Sequence, residues 1–187
     1  MDFSDICHLC LSPGLNSSSS TITTTPSRSN VPQTESNNSR TMAKLLDELS
    51  LHISDHLIIY INRLLDLFDS DCLQMRNCLL TVCVNIIRFC SSLSEYKELR
   101  GELFLLIIDQ YFLDSNVHVR SHAINLCVNL VESKLIPIKF YCHLTQATIE
   151  RMNDTSCIVR KHAIQLATKL LKCNPYTDRV EEFLFCQ

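Results

Sequence analysis

The chain has 187 residues, of which 46% are hydrophobic, and a formal net charge of −3. It is long enough for one domain plus a tail, and its apolar content allows a buried core. With only two glycines, Gly14 and Gly101, it cannot contain the glycine-rich phosphate loop of a P-loop or dinucleotide-binding protein. This scarcity of turn-forming residues also disfavours α/β and β-sandwich folds and favours long helices joined by short polar loops.

The eleven cysteines have a context that predicts reduced thiols rather than a disulfide framework. The N-terminal sequence MDFSDICHLC lacks the basic region and the long apolar core of a signal peptide. Several cysteines, among them Cys83 and Cys127, lie on helical apolar stripes, where free cysteine behaves as a small hydrophobe. The longest apolar run, 103–108, is far shorter than the ~20 residues that cross a bilayer. We therefore expect a soluble intracellular chain without membrane association.

The N-terminal part of the chain is rich in Ser, Thr, Asn and Pro, as in the run SSSSTITTTPSRSNVPQTESNNS. Such a composition cannot bury enough apolar surface to offset the entropy lost on ordering. The sequence therefore predicts a disordered segment over residues 1–40 and a helical domain over residues 41–187.

Within that domain the apolar pattern is helical and repeats. Two segments align at an offset of 40 residues, VHVRSHAINLCVNL at 117–130 and CIVRKHAIQLATKL at 157–170. A weaker copy, QMRNCLLTVCVNI at 74–86, has its arginine 44 residues before the arginine of the segment 117–130. In each copy, apolar residues at steps 0, 4, 7, 8 and 11 make one stripe on a helix. Contacts on a second side are predicted by a further apolar flank, formed by Ile124, Val131, Ile164 and Leu171.

A period near 40 with two helices per unit is typical of HEAT and armadillo arrays. We therefore predict an all-α fold, a HEAT/armadillo-like α-solenoid of about three helical-hairpin repeats. Ser54 and Ser94 are the predicted N-caps of two first helices, and Pro137 opens a third. The domain then divides into units at approximately 41–92, 95–133, 137–173 and, as the start of a further unit, 177–187.

Charged residues recur with the same period as the helices. An aspartate stands six residues before the arginine in two copies, as Asp114 before Arg120 and Asp154 before Arg160. The weaker first copy has Arg76 in the arginine's place. The aspartates are placed to accept amides at the start of the second helix, and the arginines to bridge adjacent repeats. We predict that these five residues form a structural ladder rather than a catalytic site.

Charge is unevenly distributed along the predicted solenoid, with a net of −4 over residues 41–113 and +4 over 114–173. A basic solenoid face can follow DNA phosphates without base specificity. The alternative is an ordinary solvated helix face. The candidate face for DNA or a protein partner consists of Lys161, Lys169, Lys172, Lys134 and Lys139.

No motif predicts catalysis, and we expect no enzyme activity, metal, cofactor or small-molecule substrate. Cys7 and Cys10 are half of a zinc site, but no second C-x-x-C follows. A catalytic cysteine needs a thiolate-stabilising environment that apolar helix stripes do not provide. The alternative in this class is a small thiol enzyme, which should have one cysteine far more reactive than the others.

Four segments carry a family resemblance: MRN at 75–77, DSNVHVRS at 114–121, LIP at 135–137 and ERMNDTSCIVRKHAIQLATKLLKCNPY at 150–176. They resemble the non-SMC HEAT-repeat subunits of condensin, over about Lys44 to Tyr176, and members of that family are several times longer. The resemblance implies a scaffold held on the kleisin subunit, binding chromatin or DNA in mitotic chromosome condensation while the SMC subunits hydrolyse ATP. It also implies a location in the nucleus and on mitotic chromosomes, with the cytoplasm in interphase. The alternative is another HEAT-repeat adaptor, such as a transport or vesicle-coat scaffold.

Overall fold

The computed structural model describes residues 33–66 and 72–175. The repeats belong to a compact unit that begins at Ser39. All regular structure within the described residues is helical, which confirms the predicted all-α class. None of the helices in these ranges combines the length and the hydropathy that a membrane span requires.

The helices follow one another with short connections. In chain order they are α1 Gln33–His52, α2 Ser54–Ile59, α3 Ile61–Leu65, α4 Leu73–Phe89, α5 Lys97–Asp109, α6 Val117–Glu132, α7 Tyr141–Arg151 and α8 Cys157–Lys172. Short 3₁₀ turns lie between several of them, at Cys90–Ser92, Ser94–Tyr96, Tyr111–Leu113 and Ile138–Phe140. Connections of this length allow consecutive helices to pack as hairpins.

The second helices of the repeats form one continuous row. Helix α4 packs against α6, and α6 packs against α8, so the segments 117–130 and 157–170 lie side by side. On the other side of the row, α2 and α5 pack against α4, and α7 packs against α8. Units that contact mainly their neighbours in sequence form a solenoid, so the predicted architecture is confirmed.

The apolar stripe that set the predicted repeat phase is the core of the solenoid. Every stripe position in α4 and α6 is buried, and so are those in α8 except Ala167, which is half-buried. Burial of each large aliphatic side chain stabilises the fold by about 1.5–3 kcal/mol. The stacked second helices are therefore the main source of apolar burial in the repeats.

The second apolar flank is buried in only one of the two helices for which it was predicted. Ile124 and Val131 of α6 are shielded from solvent, whereas Ile164 and Leu171 of α8 are exposed. The difference follows from position in the row, because α8 covers α6 and no helix of the described residues lies beyond α8.

The first helix begins earlier than the sequence predicts. Helix α1 starts at Gln33, so residues 33–40 of the segment predicted to be disordered are helical, and residues 1–32 lie outside the described residues. The prediction placed the start of order where apolar residues begin to recur. A helix forms its backbone hydrogen bonds internally, so it can extend beyond that point without further apolar burial.

Helix α1 is hydrogen-bonded to α4 through two side chains of α4. Its Ala43 carbonyl accepts a hydrogen bond from Cys78 Sγ at 3.0 Å, and its Ser50 Oγ accepts one from Asn85 Nδ2 at 2.8 Å. Ala43 and Leu46 of this helix are buried. Two hydrogen bonds thus link α1 to the first helix of the row.

The first helix of the first repeat differs from its prediction. Ser54 was predicted to be the N-cap of one helix over 55–68, but Ile53 occupies the cap position and the helix is interrupted at Tyr60. The Ser54 hydroxyl donates to the Ser50 carbonyl instead, as serine does when it bonds four residues back along a helix. The residues 67–71 and the proposed further unit at 177–187 lie outside the described residues.

Candidate functional site

The two ladder aspartates shape the turns that precede α6 and α8. Asp114 Oδ1 accepts a hydrogen bond from the Asn116 amide at 2.7 Å, and Asp154 Oδ1 accepts one from the Ser156 amide at 2.9 Å. Asn116 and Ser156 are the N-cap residues of the two helices. Each aspartate therefore binds the amide of the N-cap residue, one residue ahead of the helix, and fixes the direction in which the helix starts.

Arg120 joins two consecutive repeats. Its Nε lies 3.0 Å from Asp154 Oδ2 and its Nη2 lies 2.9 Å from Asp154 Oδ1, which is a bidentate ion pair. Its Nη1 donates to the carbonyls of Asp114 at 2.7 Å and Ser115 at 3.1 Å. One guanidinium is thus anchored to the turn of its own repeat and binds the carboxylate of the next.

Arg76 has the same relationship to Asp114 at the preceding interface. Its Nε and Nη2 each lie 3.3 Å from an oxygen of that carboxylate. Both side chains are largely buried. The two pairs, Arg76 with Asp114 and Arg120 with Asp154, therefore stand at successive interfaces of the solenoid.

Arg160 has half of this arrangement. Its Nη1 donates to the carbonyls of Asp154 at 2.8 Å and Thr155 at 2.9 Å, as Arg120 does within its own repeat. Among the described residues, no carboxylate pairs with its remaining donors. Of the five predicted ladder residues, four form two inter-repeat pairs and the fifth is held in the same orientation.

The ion pair changes the acidity of Asp154. Burial acts to raise the pKa of this carboxyl, but hydrogen bonds from the Arg120 guanidinium and the Ser156 amide outweigh it, and the pKa lies below its usual value. Arg151 Nη1, 3.5 Å from Oδ2, acts in the same direction. Asp154 is therefore ionised in the folded protein under neutral conditions.

A second set of contacts between repeats comes from histidines at equivalent positions. His162 Nδ1 of α8 lies 2.8 Å from Ser121 Oγ and 3.2 Å from the Ser121 carbonyl oxygen. His122 Nε2 of α6 lies 3.1 Å from Thr81 Oγ1 and also bonds to the Asn77 backbone. Burial lowers the pKa of His122. In the sequence, these contacts are indicated by the two histidines, each of which stands two residues after the arginine of its repeat.

The five candidate lysines do not form one continuous surface. Lys169 forms an ion pair with Glu132 of α6, and the hydrogen bond that Lys169 donates to this carboxylate raises the pKa of the lysine. Lys139 lies over the ring of Phe140, 4.6 Å from the centroid, on the side of the first helices. Both cations are thus engaged with neighbouring groups.

The other three lysines lie on or beside α8. Lys134 and Lys172 line one cleft near the turn between α6 and α7, and both are exposed. Lys161 is exposed near the opposite end of α8, about 16 Å from Lys172 at 1.5 Å per helical residue. Lys134 and Lys172 are therefore the part of the candidate basic face that the structure brings together.

The cysteines of the helical row are poor nucleophiles. Burial raises the pKa of Cys83 to about 12, and it raises the pKa of Cys78 and Cys127 as well. Cys142 and Cys157 are exposed. Within residues 33–66 and 72–175, no three His, Cys, Asp or Glu side chains are grouped to hold a metal ion, and Cys7 and Cys10 lie outside these ranges.

Comparison with known proteins relates this solenoid to one kind of subunit. The chain is 32% identical over 149 residues to condensin complex subunit 1 of Xenopus laevis, which covers 78% of this chain and 11% of that protein. It is 28% identical over 143 residues to the mouse protein of the same name, and this match covers 75% of this chain and 10% of the mouse protein. It is 24% identical over 135 residues to the protein of that name from Saccharomyces cerevisiae, and this match covers 70% of this chain and 11% of the yeast protein. The chain thus spans about a tenth of the length of these relatives.

Other comparisons bear on the fold alone. No family model matches the chain. Among solved structures, an engineered protein matches with a TM-score of 0.50 and 14% sequence identity, over 72% of this chain and 57% of that one. At this identity the likeness supports the helical architecture and carries no information on function.

Proposed function

Because this chain is a partial relative of condensin complex subunit 1, we propose that it is a scaffold segment of a condensin complex without catalytic activity of its own. The observation that carries the proposal is the 32% identity over 149 residues, which cover 78% of this chain. A solenoid suits this role because each repeat adds exposed helix and turn surface to which other chains can bind.

The proposed partners are the kleisin and SMC subunits of condensin, together with DNA or chromatin. The support for protein partners is the relatedness to a named complex subunit. The support for DNA is the net charge of +4 over residues 114–173 and the exposed pair Lys134 and Lys172. The proposed location is the nucleus and mitotic chromosomes, with the cytoplasm in interphase.

We infer that the chain has no catalytic activity from the chemistry of its buried thiols and of its ladder residues. The buried thiols of the helical row have raised pKa values, which disfavour the thiolate that a nucleophile requires. The ionised Asp154 is held by Arg120 and by a backbone amide rather than facing an open cleft. These groups hold the repeats together and leave no reactive group of the ladder free for a substrate.

Recovery of the tagged full chain from mitotic cells, followed by identification of the accompanying proteins, tests this function. We expect kleisin and SMC subunits of condensin to be enriched. The matched control is Val119→Asp, which places a charge in the α4–α6–α8 core and should abolish the enrichment. Enrichment of vesicle-coat or nuclear-transport proteins in place of condensin subunits would instead support the alternative HEAT adaptor.

A further inference from the structure

The turn after α6 contains a lysine in a backbone conformation that favours glycine. Lys134 has a φ of 55°, and no other residue of the described ranges except glycine was found with a positive φ. Its amide donates to the Val131 carbonyl at 3.0 Å, and the next amide, that of Leu135, donates to the Leu130 carbonyl at 3.0 Å. These two hydrogen bonds define a Schellman motif, in which the left-handed residue is usually glycine because a Cβ is strained there.

The hydrogen bonds of this turn do not require a lysine. At the equivalent position of the next repeat, 40 residues later, the sequence has Asn174. Asparagine and glycine both enter the left-handed region more readily than lysine does. What distinguishes Lys134 from those residues is therefore its long cationic side chain.

That side chain lines a cleft of about 500 Å³ to which two repeats contribute. Lys134 comes from the turn after α6, and Lys172 comes from the last turn of α8. Both lysines are exposed, and neither forms an ion pair with another described residue. In the described part of the chain no carboxylate lines the cleft, and Glu132 at the end of α6 is already paired with Lys169. Two cations without a neutralising carboxylate make the cleft attractive to anions.

We propose that this cleft binds the phosphates of the DNA backbone, and that the lysine at the strained position serves this binding although it lowers the stability of the fold. Lys134 contacts one phosphate and Lys172 contacts another, so the bound strand joins two consecutive repeats. The net charge of +4 over residues 114–173 favours an extended polyanion over a single acidic side chain. The proposal rests on the proposed binding of DNA and adds the site, together with an opposition between stability and binding at one residue.

The test replaces Lys134 in the full chain and measures thermal unfolding and binding to a short DNA duplex. In Lys134→Gly we expect the unfolding midpoint to rise by roughly 3 °C, because glycine relieves the left-handed strain. We expect the same variant to bind the duplex about fivefold more weakly at about 0.15 M salt, with a slope of log affinity against log salt that is smaller by about 1. A residue with only a structural role would not change these two quantities in opposite directions.

Three further variants separate strain from charge. Lys134→Arg keeps the charge and the Cβ, so both the affinity and the midpoint should stay near those of the unmodified chain. Lys134→Gln loses the charge and keeps the Cβ, so the affinity should fall without the gain in midpoint. Lys97→Gln, at an exposed position on α5, removes the same charge elsewhere and should leave the affinity unchanged.

A lower midpoint in Lys134→Gly would overturn the proposal by showing that the lysine stem stabilises the turn. Unchanged affinity in Lys134→Gly, in a chain that does bind the duplex, would overturn the cleft as the site and leave the proposed DNA binding intact. A lack of duplex binding by the unmodified chain would instead overturn the proposed DNA binding and this site with it.

Discussion

Arg120 in α6 binds Asp154 in the following repeat through two parallel contacts, 3.0 Å from Nε to Oδ2 and 2.9 Å from Nη2 to Oδ1. Asp154 also accepts the Ser156 amide, so the same carboxylate positions the start of α8. The pair therefore couples the spacing between two repeats to the local turn of the second one. Its side chains are only 12% and 4% exposed, which leaves little solvent to screen the interaction.

Removal of the Arg120 side chain should destabilise the solenoid strongly. Arg120→Ala leaves the buried Asp154 carboxylate without its main partner, and we expect the free energy of unfolding in urea to fall by about 3 kcal/mol. Arg160→Ala is the matched comparison, because Arg160 has equivalent hydrogen bonds to its own turn but no inter-repeat carboxylate among the described residues. We expect it to cost about 1 kcal/mol.

Equal losses for the two variants would show that the internal hydrogen bonds, rather than the inter-repeat ion pair, carry the stability. A partner-binding defect in Arg160→Ala with unchanged melting would contradict a structural role for that arginine. Circular dichroism of each variant before unfolding is the control, because both changes should leave the helix content intact.

Acid should weaken the solenoid through Asp154. The pKa of Asp154 is lower in the folded protein than in the unfolded chain. Its contribution to stability is therefore complete when the pH is above the pKa of the unfolded chain, and it is lost as the pH falls through the pKa of the folded protein. When the pH is lowered past about 4, we expect the free energy of unfolding to decrease. We expect this decrease to be less steep in Asp154→Asn. Asp55→Asn, at an exposed site on α2, is the control and should leave the slope unchanged.

His122 should contribute a separate loss of stability at milder acidity. Burial lowers its pKa, so the unfolded chain takes up a proton first as the pH falls below about 6.5, and the folded state loses stability down to its own pKa. In His122→Gln we expect a flatter dependence of unfolding free energy on pH in this window. An unchanged slope in the variant would mean that His122 does not differ in protonation between the two states.

The phase of the second helices could be predicted from the sequence, because the apolar steps of α4, α6 and α8 report directly which side faces the core. The position of a serine hydroxyl could not. Ser54 resembles an N-cap in sequence, and only the structure shows that its hydroxyl bonds back to Ser50. Periodicity within one helix also gives no distances between helices, so the pairing of Lys169 with Glu132 of α6 was not foreseen.

That pairing alters which lysines should matter for DNA. We expect Lys134→Glu with Lys172→Glu to weaken binding to duplex DNA and to reduce the slope of log affinity against log salt by about 2. Lys97→Glu, at an exposed position on α5, is the charge-reversal control and should have little effect. Unchanged affinity in the triple reversal of Lys161, Lys169 and Lys172, and in the double variant, would show that these lysines form an ordinary solvated face.

Thiol reactivity distinguishes a scaffold from a thiol enzyme. In the native protein we expect an alkylating reagent to modify the exposed Cys142 and Cys157 first, at similar rates, as followed by mass spectrometry of peptides. Cys83 and Cys127 should react only after unfolding in urea, because both are buried and have raised pKa values. Rapid modification of one buried cysteine in the folded chain would mean that its thiolate is stabilised, which stacked apolar helices do not provide, and would favour the enzyme alternative over the scaffold.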